Sequence, residues 1–364
     1  AGASSVFDQA IVYGLFDDNR AKQIKVKGDP ASWRTVLGRL GARAEALAAD
    51  GGSRLRFLME PSASPLLGDL RARILLRFPK AKFVAYSSVA SDGQAEGAQL
   101  TFGRPLEIRH DLSGAQVILS LDSDFITDGP EQVRMARQFG AGRTPGATMS
   151  RLYVAEPCMT TTGTMADHRL RVRGSDVLAV TQALASELGK VSGLESLAGF
   201  ASLPKAAQTT AQTIDGRWIA AVAKDLTRVR GKSLVIAGRR QPAAVHALVN
   251  AINFALGNVG ASVNFVAPVL NDTANGIGAL NGLVQDIAAG NVDTLVITAN
   301  NPVYGAPADF KLDKLLSRVP ETVYWGLYED ETAAAVTTFI PAAHTLESWG
   351  DGRALDGSLS IVQP

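Results

Sequence analysis

Short apolar segments alternate with helix-length segments along most of this 364-residue chain, and this alternation limits the fold more than any other feature. Helices of ten or more residues between buried strands are typical of parallel sheets, because a parallel connection must cross over the sheet. The sequence therefore predicts an α/β protein. Strands are predicted at 54–59, 82–86, 116–121, 151–155, 233–237, 262–266, 294–298 and 322–327, and helices at 32–49, 65–77, 131–139, 176–188, 242–256 and 277–289.

The composition excludes several classes of function. The net charge is +1 and aromatic residues make up 6% of the chain, so we expect no nucleic-acid surface and no attraction to anionic lipid. No run of 18 apolar residues occurs, so no direct membrane span is predicted. Cys158 is the single cysteine, which excludes a disulfide within the chain and a cysteine-ligated zinc or iron–sulfur site. The histidines, His110, His168, His246 and His344, lack metal-ligand spacing.

Three other expectations concern organisation. Residues 1–30 indicate an irregular arm with a short strand near 23–27, and residues 189–230 indicate a largely helical connection rich in alanine and serine. The abrupt start at Ala1 and stop at Pro364 suggest a piece of a longer protein. Helical spacing predicts inner faces formed by Trp33, Val36, Leu40 and Leu47 in one helix and by Leu66, Leu67, Leu70, Ile74 and Leu75 in the next.

Two windows of equal length resemble each other loosely. Residues 115–130 read AQVILSLDSDFITDGP, and residues 292–307 read VDTLVITANNPVYGAP. Each window contains an apolar strand, a polar pair and a short loop closed by proline. The likeness fits either an internal repeat or the general appearance of buried strands that end in polar loops.

Two groups of residues follow predicted strands, at the sheet edge where α/β proteins bind ligands. Some members of both groups also have a purely structural explanation. Ser175 and Asp176 fit the N-cap of a helix without a ligand, and Asn301 fits an asparagine that bonds its own backbone. The first group is Glu156, Cys158, Asp167, Gly174, Ser175 and Asp176. The second group is Asn300, Asn301, Pro302, Glu347, Asp351, Arg353 and Asp356, for which structural turns are the alternative to a ligand site.

The order and spacing of these groups resemble the molybdopterin oxidoreductase family. The resemblance implies two doubly wound, Rossmann-like parallel-sheet units: an arm at 1–30, a first α/β domain from 31–88 plus 225–364, and an inserted domain at 89–224. In that family the segment matching 156–176 holds the guanine nucleotide end of the pterin cofactor. A basic residue of the family is replaced here by Cys158, and a thiol cannot pair with phosphate. Residues 300–302 would line the other pterin site.

The family's metal chemistry has no clear counterpart in this sequence. The four-cysteine iron–sulfur motif is absent, and so is a cysteine at the metal-ligand position near Tyr86. A serine replaces that cysteine in some family members, so Ser87 and Ser88 are the candidate metal ligands, with a simple turn as the alternative. We expect no molybdenum, no iron and no other cofactor in this segment.

A narrower resemblance is carried by Ala237–Leu248, Ala255–Gly260, Asn301–Asp309, Gly326–Thr332, Glu347–Gly357 and Ser360–Pro364. These segments are similar to the B-subunit family of bacterial alternative complex III. That resemblance implies a half without molybdenum, joined to an iron–sulfur half beyond this segment. It also implies partners on the periplasmic face of the inner membrane: a quinol-oxidising membrane subunit and haem c subunits.

The sequence thus indicates a cofactor-free scaffold without an active site of its own, within a quinol-oxidising respiratory complex. Two alternatives stay open: a fragment of an active molybdopterin oxidoreductase with a serine metal ligand, and an unrelated α/β protein that binds a small molecule. A scaffold acts through its interfaces. We therefore expect at least one of Tyr304, Trp325, Tyr328 and Trp349 to be partly exposed.

Overall fold

The computed structural model describes residues 4–89, 92–146, 148–202, 215–269, 276–298 and 300–364. None of the described helices is long and apolar enough to cross a bilayer. The helices are α1 (Val6–Leu15), α2 (Trp33–Ala48), α3 (Pro65–Arg77), α4 (Asp92–Phe102), α5 (Gln132–Gly142), α6 (Thr161–Thr164), α7 (Val177–Leu188), α8 (Gly216–Arg228), α9 (Ala243–Ala255), α10 (Ile277–Ala288), α11 (Pro302–Gly305), α12 (Leu312–Leu316) and α13 (Glu331–Ala335). Short 3-10 helices cover Gly174–Asp176, Glu195–Ser202, Ala308–Phe310 and Thr345–Glu347.

The strands form two larger sheets and two small antiparallel pairs. They are β1 (Lys25–Val26), β2 (Asp29–Pro30), β3 (Leu55–Met59), β4 (Lys82–Ala85), β5 (Glu107–His110), β6 (Val117–Leu121), β7 (Arg151–Glu156), β8 (His168–Arg171), β9 (Ser233–Ala237), β10 (Val263–Val266), β11 (Thr294–Ile297), β12 (Glu321–Gly326), β13 (Thr338–Pro341), β14 (Gly350–Arg353) and β15 (Leu359–Val362). The main sheets are built from parallel pairs, as the alternation of strands and helices predicted.

The chain forms two compact units. The inserted unit comprises Ala1–Gln9 and Ser91–Pro268, and the flanking unit comprises Ala10–Ala90 and Val269–Pro364. The return from the inserted unit therefore lies at 268/269, whereas the family resemblance implied 224/225. The difference arises because β9 pairs with β6 in parallel register, Val117 opposite Ser233. Helix α8 also belongs to the inserted unit's core rather than to a linker, and residues 203–214 of the predicted connection lie outside the described residues.

The inserted unit contains a parallel four-stranded sheet in the order β8-β7-β6-β9. All five residues of β6 are buried, which is the pattern of a strand covered on both faces. One face packs on α7, α8 and α9 through residues such as Leu184, Val222 and Ile252. The other face packs on Phe125 and Phe139. Antiparallel β5 and β10 form a separate pair, so the strand predicted at 262–266 does not extend the parallel sheet.

A buried side chain closes the β9 edge of this sheet. Asn253, on α9, donates its amide N–H to Val235 O at 2.8 Å and accepts from Val235 N at 3.1 Å. Its carboxamide therefore pairs with the strand as a neighbouring peptide group would. An unpaired strand edge is open to aggregation, and Asn253 satisfies this one within the fold.

The flanking unit contains a seven-stranded sheet in the order β2-β1-β13-β12-β11-β3-β4. Strands β13, β12, β11, β3 and β4 are parallel, and the short β1 and β2 extend the edge antiparallel. Leu58, Leu295 and Ile297 pack with α10 and α12 on one face. Val36 of α2 packs with Val323 and Ile340 on the other.

Several predictions about the first 80 residues are wrong in detail. The arm is not irregular, because residues 6–15 form α1, although a short strand does occur within 23–27 as β1. Helix α2 begins after Ser32, whose hydroxyl accepts from Thr35 N, but Trp33 is half-exposed rather than on the inner face. Helix α3 contains no buried residue, and its Leu66 and Leu70 face solvent. Helical spacing alone could not show how few side chains of these two helices are buried against the sheet.

Candidate functional site

Each parallel sheet has a point where the strand order reverses, and in open α/β sheets ligands bind at the carboxyl ends of the strands there. In the inserted unit β6 is followed by β7 on one side, whereas β9 later adds to its other side. The loops after β6 and β9 therefore form the edge of interest. In the flanking unit the corresponding strands are β3 and β11, which lie side by side while β4 continues in the opposite direction.

The loops after β6 and β9 approach each other very closely. Asp122 has a left-handed backbone (φ +56°), and Gly238 donates its N–H to Leu121 O at 2.8 Å. A Cβ atom on Gly238 would lie 1.7 Å from the carbonyl oxygen of Asp122, so only glycine fits. Gln241 donates from Nε2 to the buried Asp122 carboxylate at 2.8 Å. Asp122, Gly238 and Gln241 were not predicted from the sequence, although polar clusters directly after two apolar strands were the available signal.

Glu156, at the end of β7, is buried and bonded within the chain. Arg169 Nε donates to its Oε1 at 2.6 Å, and the Thr160 hydroxyl donates to its Oε2 at 2.7 Å. The carboxylate lies against Gly163, where an added Cβ would sit 1.8 Å from Oε1. The glutamate therefore fills the space in front of α6 with its own negative charge.

Asp167 is also bonded to the chain's own groups. Arg143 binds it with two N–H groups at 2.7 and 2.8 Å, and Leu152 N donates to it at 2.8 Å. Its hydrogen bonds to Arg143 hold the pKa of this carboxyl below its usual value. Cys158 is an exposed thiol in the loop between Glu156 and Thr160.

Asp176 differs from these two acids. It stands at the N-cap position of α7 after Gly174 and Ser175, but its side chain accepts no capping hydrogen bond, so the predicted N-cap role is wrong. It is 3% exposed, and its Oδ2 has no hydrogen-bond partner among the described residues. Gln241 Oε1, at the same sheet edge, is likewise buried without one. Unsatisfied buried acceptors are rare in folded proteins.

Arginines surround the carboxyl ends of these strands. Arg171 and Arg173 end and follow β8, and Arg239 and Arg240 follow β9. Arg239 pairs with Asp128 at 3.1 Å, and Arg240 lies 3.4 Å from Asp122 while most of its side chain is exposed. We call these four residues the arginine rim. The inserted unit thus has arginines, two of them paired with acids, at the same sheet edge as partly unsatisfied acceptors.

The flanking unit's edge is built around Asn301. Its backbone is left-handed (φ 40°), and its side chain donates to Glu331 at 2.7 Å and accepts from the Thr332 hydroxyl at 2.9 Å. Asn301 therefore ties the loop after β11 to the loop after β12, rather than bonding its own backbone as predicted. Pro302 is buried as the first residue of α11, and Asn300 is exposed.

A buried tyrosine anchors the same edge. Tyr324 donates its hydroxyl to Asp330 at 2.8 Å, and Asp330 caps α13 through Thr332 N and Ala333 N. Burial, reinforced by Asp330, raises the pKa of Tyr324 above its usual value. Glu60 after β3 and Glu331 after β12 are exposed, so the edge presents carboxylates.

The remaining candidates in the flanking unit have structural contacts. Glu347 pairs with Arg20 and accepts from His344 N at 2.9 Å, and Arg20 lowers its pKa. Asp351 bonds Ser64 and accepts from Leu66 N at 2.9 Å. Asp356 accepts from Ser358 N at 3.0 Å within the turn that Gly357 allows by its positive φ. Arg353 N donates to Ala63 O at 3.0 Å.

The two serine candidates lie in the loop after β4. The Ser87 hydroxyl accepts a long bond from Val89 N at 3.4 Å, and Ser88 is exposed near Gly305. Across the described ranges, no three His, Cys, Asp or Glu side chains are grouped as metal ligands would be.

The aromatic prediction is confirmed. Tyr304, Trp325 and Trp349 are exposed, and Tyr328 is half-buried with its hydroxyl on Asp17. Trp325 lies 6.3 Å from Trp33, centroid to centroid. The flanking unit therefore presents several large aromatic rings to its surroundings.

A pterin dinucleotide fits these residues poorly. Its phosphates need basic groups, but the place of the expected basic residue is taken by the thiol Cys158, and the neighbouring Glu156 already occupies the donors in front of α6. The carboxylates of the flanking unit's edge would repel phosphate as well. The arginine rim and Asp176 are the features that favour a nucleotide.

Comparison with known proteins gives a distant relative and a shared fold. No family model matches the chain. The menaquinone reductase molybdopterin-binding-like subunit of Nitratidesulfovibrio vulgaris is 26% identical over 268 residues, which is 67% of this chain. The chain spans 39% of the length of that relative.

Two solved structures share the fold of this chain. Acetylene hydratase from Pelobacter acetylenicus superposes with a TM-score of 0.70 at 14% identity, over 98% of this chain and 60% of the hydratase chain. A chain of the formyltransferase/hydrolase complex from Methylorubrum extorquens superposes with a TM-score of 0.55 at 13% identity, over 93% of this chain and 92% of its own. The predicted α/β fold with parallel sheets is confirmed. The chain is thus similar in fold to acetylene hydratase and weakly similar in sequence to a molybdopterin-binding-like quinone reductase subunit.

Proposed function

We propose that this chain is a cofactor-free, molybdopterin-oxidoreductase-like scaffold within a quinol-oxidising respiratory complex of the alternative complex III type. The observation that carries the proposal is the internal satisfaction of its candidate site. Glu156 and Asp167 are bonded to Arg169 and Arg143, and Asn301 is bonded to Glu331 and Thr332. These side chains hold loops together instead of facing a vacant ligand site.

The similarity to a menaquinone reductase subunit supports the membership of a quinone-linked complex. The proposed partners are an iron–sulfur half of the same subunit, a quinol-oxidising membrane subunit and haem c subunits. The proposed location is the periplasmic face of the inner membrane, where this segment would be held peripherally. Electrons would pass through clusters of the iron–sulfur half and not through this segment.

Purification of the intact complex through a tag on this chain tests the proposal. We expect co-purification with cluster-bearing and haem-bearing subunits and quinol oxidation by the preparation. Asn301→Ala and Asp176→Ala should leave the turnover of the assembled complex unchanged, because neither side chain is proposed to touch a reacting group. Loss of turnover in a fully assembled variant would contradict the scaffold role.

One observation favours a second candidate. The unsatisfied Asp176 carboxylate and the arginine rim are suited to a nucleotide, as expected for an active molybdopterin oxidoreductase fragment with Ser87 or Ser88 as metal ligand. Under this alternative, denaturation of the purified complex would release a pterin nucleotide in amounts equal to the chain, and Asp176→Ala would abolish its retention.

A further inference from the structure

Helix α3 has apolar residues on both its inner and its outer side. Ile74 and Leu75 pack inward against the buried cluster that contains Leu47. On the outer side Leu70 is 45% exposed and Leu76 is 86% exposed, the largest value for any large apolar residue that the structure describes. Single exposed leucines are ordinary on a protein surface, whereas exposed leucines bordered by charged residues indicate a surface that binds something.

Two cations near the end of α3 are already bound by acids. Arg73 donates to Asp69, one turn earlier, at 2.7 Å, and Lys82 at the start of β4 donates to Asp286 at 2.9 Å. Asp286 also accepts from the buried Arg56 at 2.8 Å, so that one carboxylate serves two cations. Positive charge therefore exceeds negative charge around Asp286.

Two further cations of this surface have no acid bound to them. Arg77, in the last turn of α3, and Lys80, in the turn that follows, make no ion pair with any residue of the described ranges. Asp50, on the adjoining turn, gives its carboxylate to Ser53 and to the N–H of Gly52. Even with Asp50 counted, the five cations of this surface exceed its three acids by two.

The leucines and the cations share the outer side of the helix. With about 3.6 residues per turn, Arg73 and Arg77 fall between Leu76 on one flank and Leu70 on the other. Arg71 falls on the inner side, where its guanidinium carbon lies 4.9 Å from the centre of an aromatic ring. Cations between leucines suit a surface that offers hydrocarbon and anionic groups together. A protein interface, in contrast, keeps most charged residues out of its apolar core.

We propose that the outer side of α3, with Leu70, Leu76, Arg77 and Lys80, contacts an anionic phospholipid surface in the assembled complex. This inference rests on the proposed function, because it takes the nearby membrane from the proposed peripheral location. The net charge of +1, from which no attraction to anionic lipid was expected, averages over the whole chain and does not describe this surface. At a bilayer the leucines would enter the headgroup region, and the cations would stay at the level of the phosphates.

Sedimentation of the 364-residue chain with lipid vesicles tests the inference. We expect binding to vesicles made of equal parts of phosphatidylcholine and phosphatidylglycerol. Binding to phosphatidylcholine alone should be weaker by about tenfold or more, and high salt should remove the difference. Arg77→Gln combined with Lys80→Gln should abolish the preference for the anionic vesicles. Leu76→Ser should weaken binding by about fivefold, because less apolar surface enters the bilayer.

Matched controls come from the inserted unit. Arg217→Gln combined with Lys224→Gln removes the same charge from exposed positions of α8, and Leu100→Ser removes a leucine that is 69% exposed on α4. Both controls should bind the anionic vesicles as the original chain does. If each control lost as much binding as its counterpart on α3, the attraction would be general to the chain and the inference would be wrong.

The other outcomes distinguish this inference from the proposed function. If the chain does not bind anionic vesicles but co-purifies with cluster-bearing and haem-bearing subunits, the lipid contact is wrong and the scaffold proposal stands. Protection of α3 from hydrogen exchange by an acidic subunit in the lipid-free complex would also overturn the lipid contact. Vesicle binding through α3 by a chain that joins no quinol-oxidising complex would support the lipid contact and overturn the proposed function.

Discussion

The carboxyl edges of the two parallel sheets are built on similar strands but differ in their charged groups, because the first combines arginines with acids and the second presents carboxylates. The window at 115–130 contains β6 and the window at 292–307 contains β11, and each of these strands lies at the point where its own sheet reverses order. After β6 and its neighbours come the arginine rim and an unsatisfied Asp176. After β11 and its neighbours come Glu60, Asp330 and Glu331, with Asn301 fully bonded.

The difference between the two edges distinguishes polar residues that hold the fold together from polar residues that a ligand site would need. The inserted unit keeps buried acceptors that have no hydrogen-bond partner among the described residues, and such acceptors are costly unless something binds them. The flanking unit uses its polar groups to join its own loops. The hydrogen bonds of the flanking unit therefore give the stronger support to the proposed scaffold role, and any remaining ligand would be expected at the edge of the inserted unit.

Gly238→Ala should have the largest effect. The new Cβ would lie 1.7 Å from a backbone oxygen that cannot move independently, so we expect a loss of more than about 4 kcal/mol in the free energy of unfolding. Urea unfolding of the chain measures it. Gly278→Ala on α10 is the matched control, because nothing lies within 4 Å and alanine favours the helix by about 0.5–1 kcal/mol. Equal effects of both substitutions would show that the two loops do not touch.

Acid should weaken the inserted unit next. Burial lowers the pKa of both His110 and His246 to about 4, with Arg134 adding to the effect at His110. The unfolded chain then binds more protons, so stability is full above about pH 6.5 and falls as the pH drops towards about 4. We expect a combined loss of several kcal/mol near pH 4.5. His246→Leu should make the pH profile of unfolding shallower, and an unchanged profile would contradict this assignment.

Glu156→Ala should cost about 3 kcal/mol, because it leaves the guanidinium of Arg169 without its buried partner and removes the acceptor of Thr160. Glu156→Gln is the control, since it keeps the shape and one acceptor and should cost less. Thermal unfolding compares the two. If Glu156→Ala instead increased the affinity for added nucleotide without loss of stability, the carboxylate would be a plug rather than a structural pair.

Asn301→Ala should cost about 1–2 kcal/mol, because two side-chain hydrogen bonds between loops are lost. The same substitution should raise the pKa of Glu331, since its hydrogen bond from Asn301 is the main cause of its lowered value. Carboxyl titration by NMR follows this shift. An unchanged Glu331 would show that the two loops are not joined through Asn301.

Asp176→Ala should have the smallest effect on the isolated chain, within about 0.5 kcal/mol or slightly stabilising, because it removes a buried Oδ2 that has no partner among the described residues and loses only the 3.3 Å hydrogen bond from the Ser175 hydroxyl to Oδ1. The measurement is the free energy of unfolding with and without a guanine nucleotide. Clear stabilisation of the original chain by the nucleotide, absent in the variant, would move the second candidate function ahead of the scaffold.

Most strands of the main sheets could be predicted from sequence because they are local apolar runs, whereas β8 and β13 were not predicted. β6 and β9 are each nearly or fully buried over five residues, and the pattern shows this directly. β5 was missed because Glu107, Arg109 and His110 interrupt its apolar character. Its pairing with β10 could not be foreseen, and this pairing, with that of β9, moves the unit boundary to 268/269.

The candidate site was only partly predictable for a related reason. Sequence identified Glu156, Asp167 and Asn301 as notable, but their partners lie in other elements: Arg169, Arg143 and Thr332. Whether an acid is free or bonded depends on tertiary contacts. The close approach of Gly238 to Asp122 joins loops 116 residues apart and has no local signature.

We propose that this chain keeps the architecture without the cofactor, and metal and pterin analysis of the purified complex is the decisive test. We expect iron only in the amounts that cluster-bearing and haem-bearing partners supply, with molybdenum, tungsten and released pterin at background. Molybdenum or tungsten in amounts equal to the chain, with a pterin nucleotide released on denaturation, would contradict it.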